Sequence, residues 1–506
     1  MVWIGSKIGC KKEIKTNKKL LWLKSPTFKI LGIEYNLAEE NIIYSNYENK
    51  LKAVKNLLNT WSWRNLTICG KVTVIKSLAI PKIVHLFRSL PCPGEEYFKK
   101  LDSIMFSFIW NDKPDKIKRS VLINNIESGG VKQTHFSKSL KVFWIKKVLD
   151  PTYQTDWKTL FLDKISKFGG NLLWYLHPDS LKDIAQEFNP FWKNIIEIWA
   201  ELNKDNYEDT DYLSRPIWYN PNIKIGNNFI FWNNISEAGV NFINDLIDED
   251  GEFLSYEEFV NAYNIRIDFL NYAALIHAIP IEWKNKINEE ETKLEEIQNF
   301  WVDKIKKQNS NKYAYDSLSA KFKERPEKSE NKWKIEFNND DINFDDIYFT
   351  NFRALAKDST LRAFQYKILN RILATNRLLF KMNISAYDLC TFCATHSESI
   401  EHLFWECMIS KNVWFFIYEK LNLKNFIPDL VFDKKTILFG YLGDNQLWKQ
   451  INLFIVIIKY YIYKARLDLK EPSVHDLKSY VSFLIRIHKE IYKELDFPFM
   501  RGLVDL

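Results

Sequence analysis

Cys390, Cys393, His402 and Cys407 follow the spacing Cys-x2-Cys-x8-His-x4-Cys within LCTFCATHSESIEHLFWECMISKNVW. Two cysteines two residues apart can close a tight turn around Zn²⁺, and a histidine and a cysteine further on complete a tetrahedral set of three sulfurs and one nitrogen. With every position filled by protein, such a zinc would be structural and not catalytic. Four soft ligands rarely fall by accident in one window of 18 residues, whereas Cys10, Cys69 and Cys92 show no partner spacing. His396 competes as the nitrogen ligand. His402 is the expected one, because its spacing to Cys407 lets one short helical segment present both groups.

The elements that must hold this loop are mostly helical. Leu361, Phe364, Ile368 and Ile372 recur at helical steps just before it, and the pairs Lys367/Arg371 and Arg377/Lys381 lie four apart. Near the N-terminus, MVWIGSK and FKILGIEYN are short apolar stretches broken by Gly5 and Gly32, which suits strands or a hairpin. Tyr47, Leu51, Val54, Leu58 and Trp61 then mark a helix over 47–61, and Phe98, Leu101, Met105 and Phe108 another over 96–110. The segment between them reads as a helix interrupted near Pro81 and ended by Pro91 and Pro93, with Lys71, Lys76, Lys82 and Arg88 on its surface. Helical periodicity returns in YEEFVNAYNIRIDFLNYAALIHAI and LEEIQNFWVDKIKK, while the polar, Pro-broken KFKERPEKSENKW reads as a linker.

The expected fold class is therefore mainly α: a short N-terminal β hairpin, a basic helical bundle, a helical middle region and a C-terminal helical domain with a small CCHC zinc site. The corresponding divisions are 1–44, 45–150, 151–335 and 336–506.

Composition limits the partners. The 506 residues are 46% hydrophobic and 15% aromatic, as a chain with a sizeable core requires. Few cysteines and only short apolar runs suit a reducing compartment, cytoplasmic or nuclear, with no membrane partner. The net charge of +7 conceals an asymmetry. Residues 1–150 carry 27 Lys and Arg against 12 Asp and Glu, 151–360 carry 24 against 37, and 361–506 carry 20 against 15. Because phosphate neutralisation by Lys and Arg is the main sequence-independent term in nucleic-acid binding, the basic front is the segment expected to meet RNA or DNA.

The run VWIGSK…FKILGI…LKAVKNLLNTWSWRNLTICGKVTVIKSLAIPKIVHLFRSLP…MFSFIWNDKPDKIKRSVL…GGV resembles the part of a LINE-type (non-LTR) retrotransposon reverse transcriptase that follows its polymerase core. LRAFQYKILNRILATNRLL and the zinc cluster are similar to the C-terminal end of the same polyprotein. The resemblance implies a primer-grip hairpin at 28–33, with Lys29 near the 3′ end of a growing strand. It also implies a thumb over 45–110 that holds a template–primer duplex. Nucleic-acid contacts are expected from Lys29, Lys71, Lys76, Lys82, Arg88, Lys116, Lys118 and Arg119, and packing roles from Trp61, Trp110, Leu31 and Ile33. An intact retrotransposon polymerase is a further implied partner.

The departures from that pattern matter. A polymerase needs carboxylates that hold two Mg²⁺ ions, and in this family they precede the primer grip. Only 27 residues precede Phe28, so the chain reads as a truncated remnant without polymerase activity. Asp345 and Asp346 mimic an Asp-Asp turn but are expected to be helix-capping or surface acids. Pro428-Asp429 and Asp444 resemble the spacing of restriction-like nucleases, yet the expected acid-x-Lys ending is missing.

Overall fold

The computed structural model of the chain describes residues 27–36, 40–133, 138–208, 211–290, 294, 296–297, 299–307, 309–355, 358–420, 432–443 and 445–491. The strand expected in MVWIGSK lies outside them, as do Pro428, Asp429 and Asp444. Helices dominate the described residues, and the strands form two short antiparallel pairs. No helix among these residues is long and apolar enough to cross a membrane.

Thr27–Ile30 pairs with Ile33–Asn36, as the hairpin reading expects. Both turn residues have positive φ, Leu31 at 49° and Gly32 at 82°, the pattern of a tight hairpin turn that follows strand twist. Packing holds for Ile33 and Trp110, both buried, but not for Leu31, which is 93% exposed at the tip. A turn apex points away from both strands, so its side chain has nothing to cover it. Trp61 is half-buried, with the Arg64 guanidinium 4.2 Å from its ring centre.

The chain divides into two compact units built from interleaved segments. The first comprises Met1–Val54, Ile80–Leu101 and Phe136–Lys321; the second comprises Lys55–Ala79, Asp102–His135 and Phe322–Leu506. Segment 45–150 thus contributes to both. The change of unit after Ala79 coincides with the break near Pro81: Ile68–Val74 runs into a π turn over Ile75–Ala79 before Pro81–Ser89 starts anew. Proline offers no N–H to the carbonyl four residues back, so an α ladder cannot pass through it.

The first unit buries the tryptophans that make the acidic middle distinctive in sequence. Trp174, Trp199 and Trp218 are fully covered, and the indole N–H groups of Trp199 and Trp218 donate to Trp174 O and Val240 O at 2.9 and 2.8 Å. The helices expected around 256–278 form as Tyr256–Tyr263 and Phe269–Ala278, separated by Asn264 in the left-handed region.

The second unit holds the cysteine cluster. The long helix Gln446–Leu467 is buried along most of its length and packs against Phe344–Ala354, Ser359–Leu369 and Val474–Ile491. The stripe of Leu361, Phe364 and Ile368 lies in this core. KFKERPEKSENKW is a linker only in its first half, where 321–326 is non-helical and the change of unit falls between Lys321 and Phe322. Glu327–Phe337 is a helix, and Trp333 is wholly buried with its indole N–H donating to Leu369 O at 2.8 Å. One aromatic side chain of that size contributes roughly 2–3 kcal/mol by burial, enough to seat an otherwise polar helix on the core.

Candidate metal centre

Three local devices bring the ligands together. Leu389 and Ser397 form an antiparallel bridge, and Cys390 N donates to His396 O at 2.7 Å. The Cys-x2-Cys loop then closes through Ala394 N to Cys390 O at 2.9 Å, with Ala394 at φ 53°. Finally, His402–Glu406 is a π turn started by Ser399, whose hydroxyl accepts from His402 N at 3.0 Å. An α-helix rotates 100° per residue, so residues five apart would diverge by about 140°. The wider π turn brings His402 and Cys407 to the same side, with Cys407 N donating to His402 O at 2.8 Å. The next helix, Met408–Lys420, locks the turn through Ser410 Oγ to Leu403 O and Trp414 Nε1 to Phe404 O, at 2.7 and 2.8 Å.

One ligand atom from each of Cys390, Cys393, His402 and Cys407 lies within 4.8 Å of the others. The Cys390 and Cys407 sulfurs are 4.0 Å apart, and Cys393 Sγ is 3.4 Å from His402 Nε2. A tetrahedral zinc with bonds of about 2.3 Å to sulfur and 2.0 Å to nitrogen requires ligand separations of roughly 3.5–3.8 Å. Both separations lie close to these values, and with the whole group inside 4.8 Å the four residues fit zinc with small shifts. Cys390, Cys407 and His402 are buried and Cys393 is partly exposed, so protein surrounds the position where the ion would sit. His396 is not in the group. Its ring stacks on that of His402 with centres 5.4 Å apart, and its Nδ1 is 2.9 Å from Thr395 Oγ1.

Two of the three thiols are biased toward the thiolate. Burial pushes the Cys393 thiol up, but hydrogen bonds from the Thr395 hydroxyl, the Thr395 and His396 amides and His402 outweigh it and pull the pKa down to about 5. Cys390 donates to Cys407, which raises the Cys390 pKa and lowers that of Cys407 to about 6. Thiolates are the form that binds zinc.

A buried carboxylate anchors the loop. Glu398 accepts from Asn376 N at 2.8 Å, Thr391 N at 2.9 Å and Thr391 Oγ1 at 2.8 Å, and pairs with Arg466 Nε at 3.0 Å. It thereby ties the ligand loop to the start of Asn376–Lys381 and to the end of the long helix. Nearby, Arg371 bridges Glu401 at 2.5 Å with its guanidinium 4.1 Å from the Trp333 ring centre. Nothing local in the sequence marks Glu398, since Arg466 lies 68 residues away.

The basic residues expected to meet nucleic acid divide between the units. Lys29, Lys82 and Arg88 belong to the first; Lys71, Lys76, Lys116, Lys118 and Arg119 belong to the second. Lys71 is buried, not on the surface. Its ammonium donates to Phe108 O at 2.8 Å and Ile109 O at 3.1 Å and also bonds Asn111, capping the negative end of Glu95–Trp110. Lys29, Lys76, Lys82 and Lys116 are exposed, although Lys29 stands 3.7 Å from Glu34. Lys118 pairs with Glu324 and Arg119 with Asp115, at 2.9 and 2.7 Å. Arg88 is half-buried, 5.3 Å from the Phe143 ring centre. Asp345 and Asp346 occupy the first turn of Phe344–Ala354, where Asp345 pairs with Arg325 at 2.9 Å.

Residues 328–414 match the family model described as zinc-binding in reverse transcriptase. The match begins at the helix that carries Trp333 and takes in the whole ligand set. Over this segment the chain is similar to the zinc-binding region of reverse transcriptases, which supports a relation to reverse-transcriptase proteins.

Proposed function

We propose that this chain binds RNA or DNA as the C-terminal part of a LINE-type non-LTR retrotransposon reverse transcriptase, with zinc as a structural staple and without polymerase activity of its own. The observation that carries the reading is the closed set Cys390, Cys393, His402 and Cys407 within the segment matched at 328–414. A site filled by four protein ligands leaves no position for substrate, so its work is to hold a surface in shape. The excess of Lys and Arg in 1–150 supports a polyanionic partner, and Lys29, Lys76, Lys82 and Lys116 stay exposed to meet it.

The expectation of no polymerisation rests on the chemistry of phosphoryl transfer, which needs carboxylates converging on two metal ions. Asp345 is paired with Arg325, and Asp346 accepts from Asn343 Nδ2 at 2.8 Å at a helix start. Two measurements on the purified chain test the proposal. Fluorescence anisotropy with labelled single strands and duplexes should show binding that weakens steeply with salt. Primer extension with Mg²⁺ or Mn²⁺ should yield no product. Absence of binding at low salt, or template-dependent extension, would overturn the corresponding half.

A further inference from the structure

A groove of about 1060 Å³ opens within the second unit between residues 115–121 and 323–331, with Asn370 at its floor. Its two walls are joined: Lys118 pairs with Glu324, Glu324 N donates to Ser120 O at 3.4 Å, and Asn124 Nδ2 donates to Glu324 O at 3.2 Å. Three acids line the groove: Asp115 is engaged by Arg119 and Glu324 by Lys118, while Glu327 is exposed and adds its charge near Lys118.

Among the bases that line it, Lys118 is paired with Glu324 and Arg325 with Glu330 and Asp345, whereas Lys116 and Lys328 are not paired in this way. Lys116 and Lys328 line the groove, and Lys332, Lys367 and Lys381 extend the positive face beyond it. None of these five forms an ion pair with a carboxylate among the described residues. They crowd one another instead. Desolvation, then the charges of Lys328, Arg371 and Lys381, hold the Lys332 ammonium below its usual range; desolvation and Lys116 do the same to Lys367. With five bases against three acids in the lining and further lysines beside it, the excess positive charge stores repulsion that a polyanion relieves.

We infer that this groove is a track for a phosphodiester backbone, contacted by Lys116, Lys328, Lys332, Lys367 and Lys381. The inference rests on the nucleic-acid reading above and deepens it by naming a surface. Its lining predicts the mode of recognition. Among the described residues no aromatic side chain lines the groove, so stacked bases have no platform there, and contacts should go to phosphates with little sequence preference. An acidic peptide is the less suitable occupant, because helices and loops form the walls and offer no strand edge for a peptide backbone.

The full chain, loaded with zinc, is titrated against fluorescent oligo(U), oligo(dT) and a DNA duplex of equal length while salt is varied. Lys328→Glu/Lys332→Glu is compared with Lys306→Glu/Lys312→Glu, a matched charge change at exposed positions of the first unit. The groove pair should weaken binding at least tenfold and flatten the log–log salt slope by about 1.4 for single strands, at roughly 0.7 per lost contact; the control pair should change affinity less than threefold. Lys328→Gln/Lys332→Gln should lose less affinity than the Glu pair, and circular dichroism establishes that each variant folds. Equal losses for the two Glu pairs would overturn the groove while leaving nucleic-acid binding in place. No binding by the unaltered chain to any of the three ligands would overturn both. If poly-glutamate competes as well as oligo(U) does, the track is for acidic protein and the inference falls. The single-strand and duplex arms identify which nucleic acid runs through it.

Discussion

Glu398→Gln removes one charge from the centre of the metal loop while keeping its shape. Side-chain exposure is 0% for Glu398 and 8% for Arg466, so the pair has little water to fall back on. Removing one partner of a buried pair costs about 3–5 kcal/mol, because the other charge is left uncompensated. The glutamine oxygen can still accept from one backbone donor, which places the expected loss near the lower figure, about 3 kcal/mol. Read as local opening, that corresponds to roughly two orders of magnitude at 1.4 kcal/mol per tenfold. Hydrogen exchange on the zinc-loaded protein should therefore accelerate about a hundredfold at the amides of Asn376 and Thr391, both of which donate to Glu398. Zinc content should remain stoichiometric, since no ligand is touched. Arg466→Met should act on the same amides, and the double variant should fall short of additivity by more than about 1 kcal/mol. A change of less than threefold at Asn376 and Thr391, with zinc retained, would refute the claim that this carboxylate anchors the loop.

Elemental analysis should find one zinc in the unaltered chain and in His396→Ala, and none in Cys393→Ser; loss in His396→Ala would show that the wrong imidazole had been chosen. Lys71→Met should cost about 1–3 kcal/mol by leaving Phe108 O and Ile109 O without their donor, yet leave the nucleic-acid affinity of the folded protein within about twofold. A tenfold affinity loss at unchanged thermal stability would instead restore Lys71 as a phosphate contact. Lys459 is fully buried, bonded to Gln365 Oε1 at 2.7 Å and Leu438 O at 3.2 Å, and burial pulls its pKa well below 10.5. Between the folded and unfolded pKa values the unfolded chain binds more protons, so stability from this group rises with pH by up to about 1.4 kcal/mol per unit. Relative to the unaltered chain, Lys459→Met should thus be most favourable at low pH and lose that advantage toward pH 10; parallel denaturation midpoints across pH 6.5–9.5 would contradict this.

The zinc ligands were legible because their geometry is local: a turn and one helical segment set all four, and both are written in spacing. The π turn that makes His402 and Cys407 converge was not, since their separation alone does not distinguish it from a bent α turn. Glu398 and Arg466 were hidden for the opposite reason, being joined only by the tertiary fold. The linker reading of KFKERPEKSENKW holds at 321–326 but fails from Glu327 onward, because composition averages over faces. Trp333 and Phe337, four apart, give that helix one apolar side, while Glu330 is buried and reached by Arg325 and the Tyr348 hydroxyl. Lys71 misled through its length: its stem lies in the core and its ammonium reaches the end of another helix, a reach that hydropathy scores as surface.

The interleaving of the two units bears on how the chain is made. Segments Lys55–Ala79 and Asp102–His135 belong to a unit whose core residues run from Trp333 to Val481. During synthesis at about 5–20 residues per second, those early segments wait roughly 20–70 s before the far side of their own core leaves the ribosome. Over that interval Ile68–Val74 lacks Ser359–Leu369, and Ile126–Ser128 lacks Phe344–Ala354, the helices they pack against in the finished protein. The second unit cannot complete its packing until its last segment has emerged, and pairing across such separations is slow. Nascent chains released before the long helix Gln446–Leu467 has emerged should accordingly depend on chaperones, whereas the first unit has its own core from Val142 to Leu318 in hand much sooner.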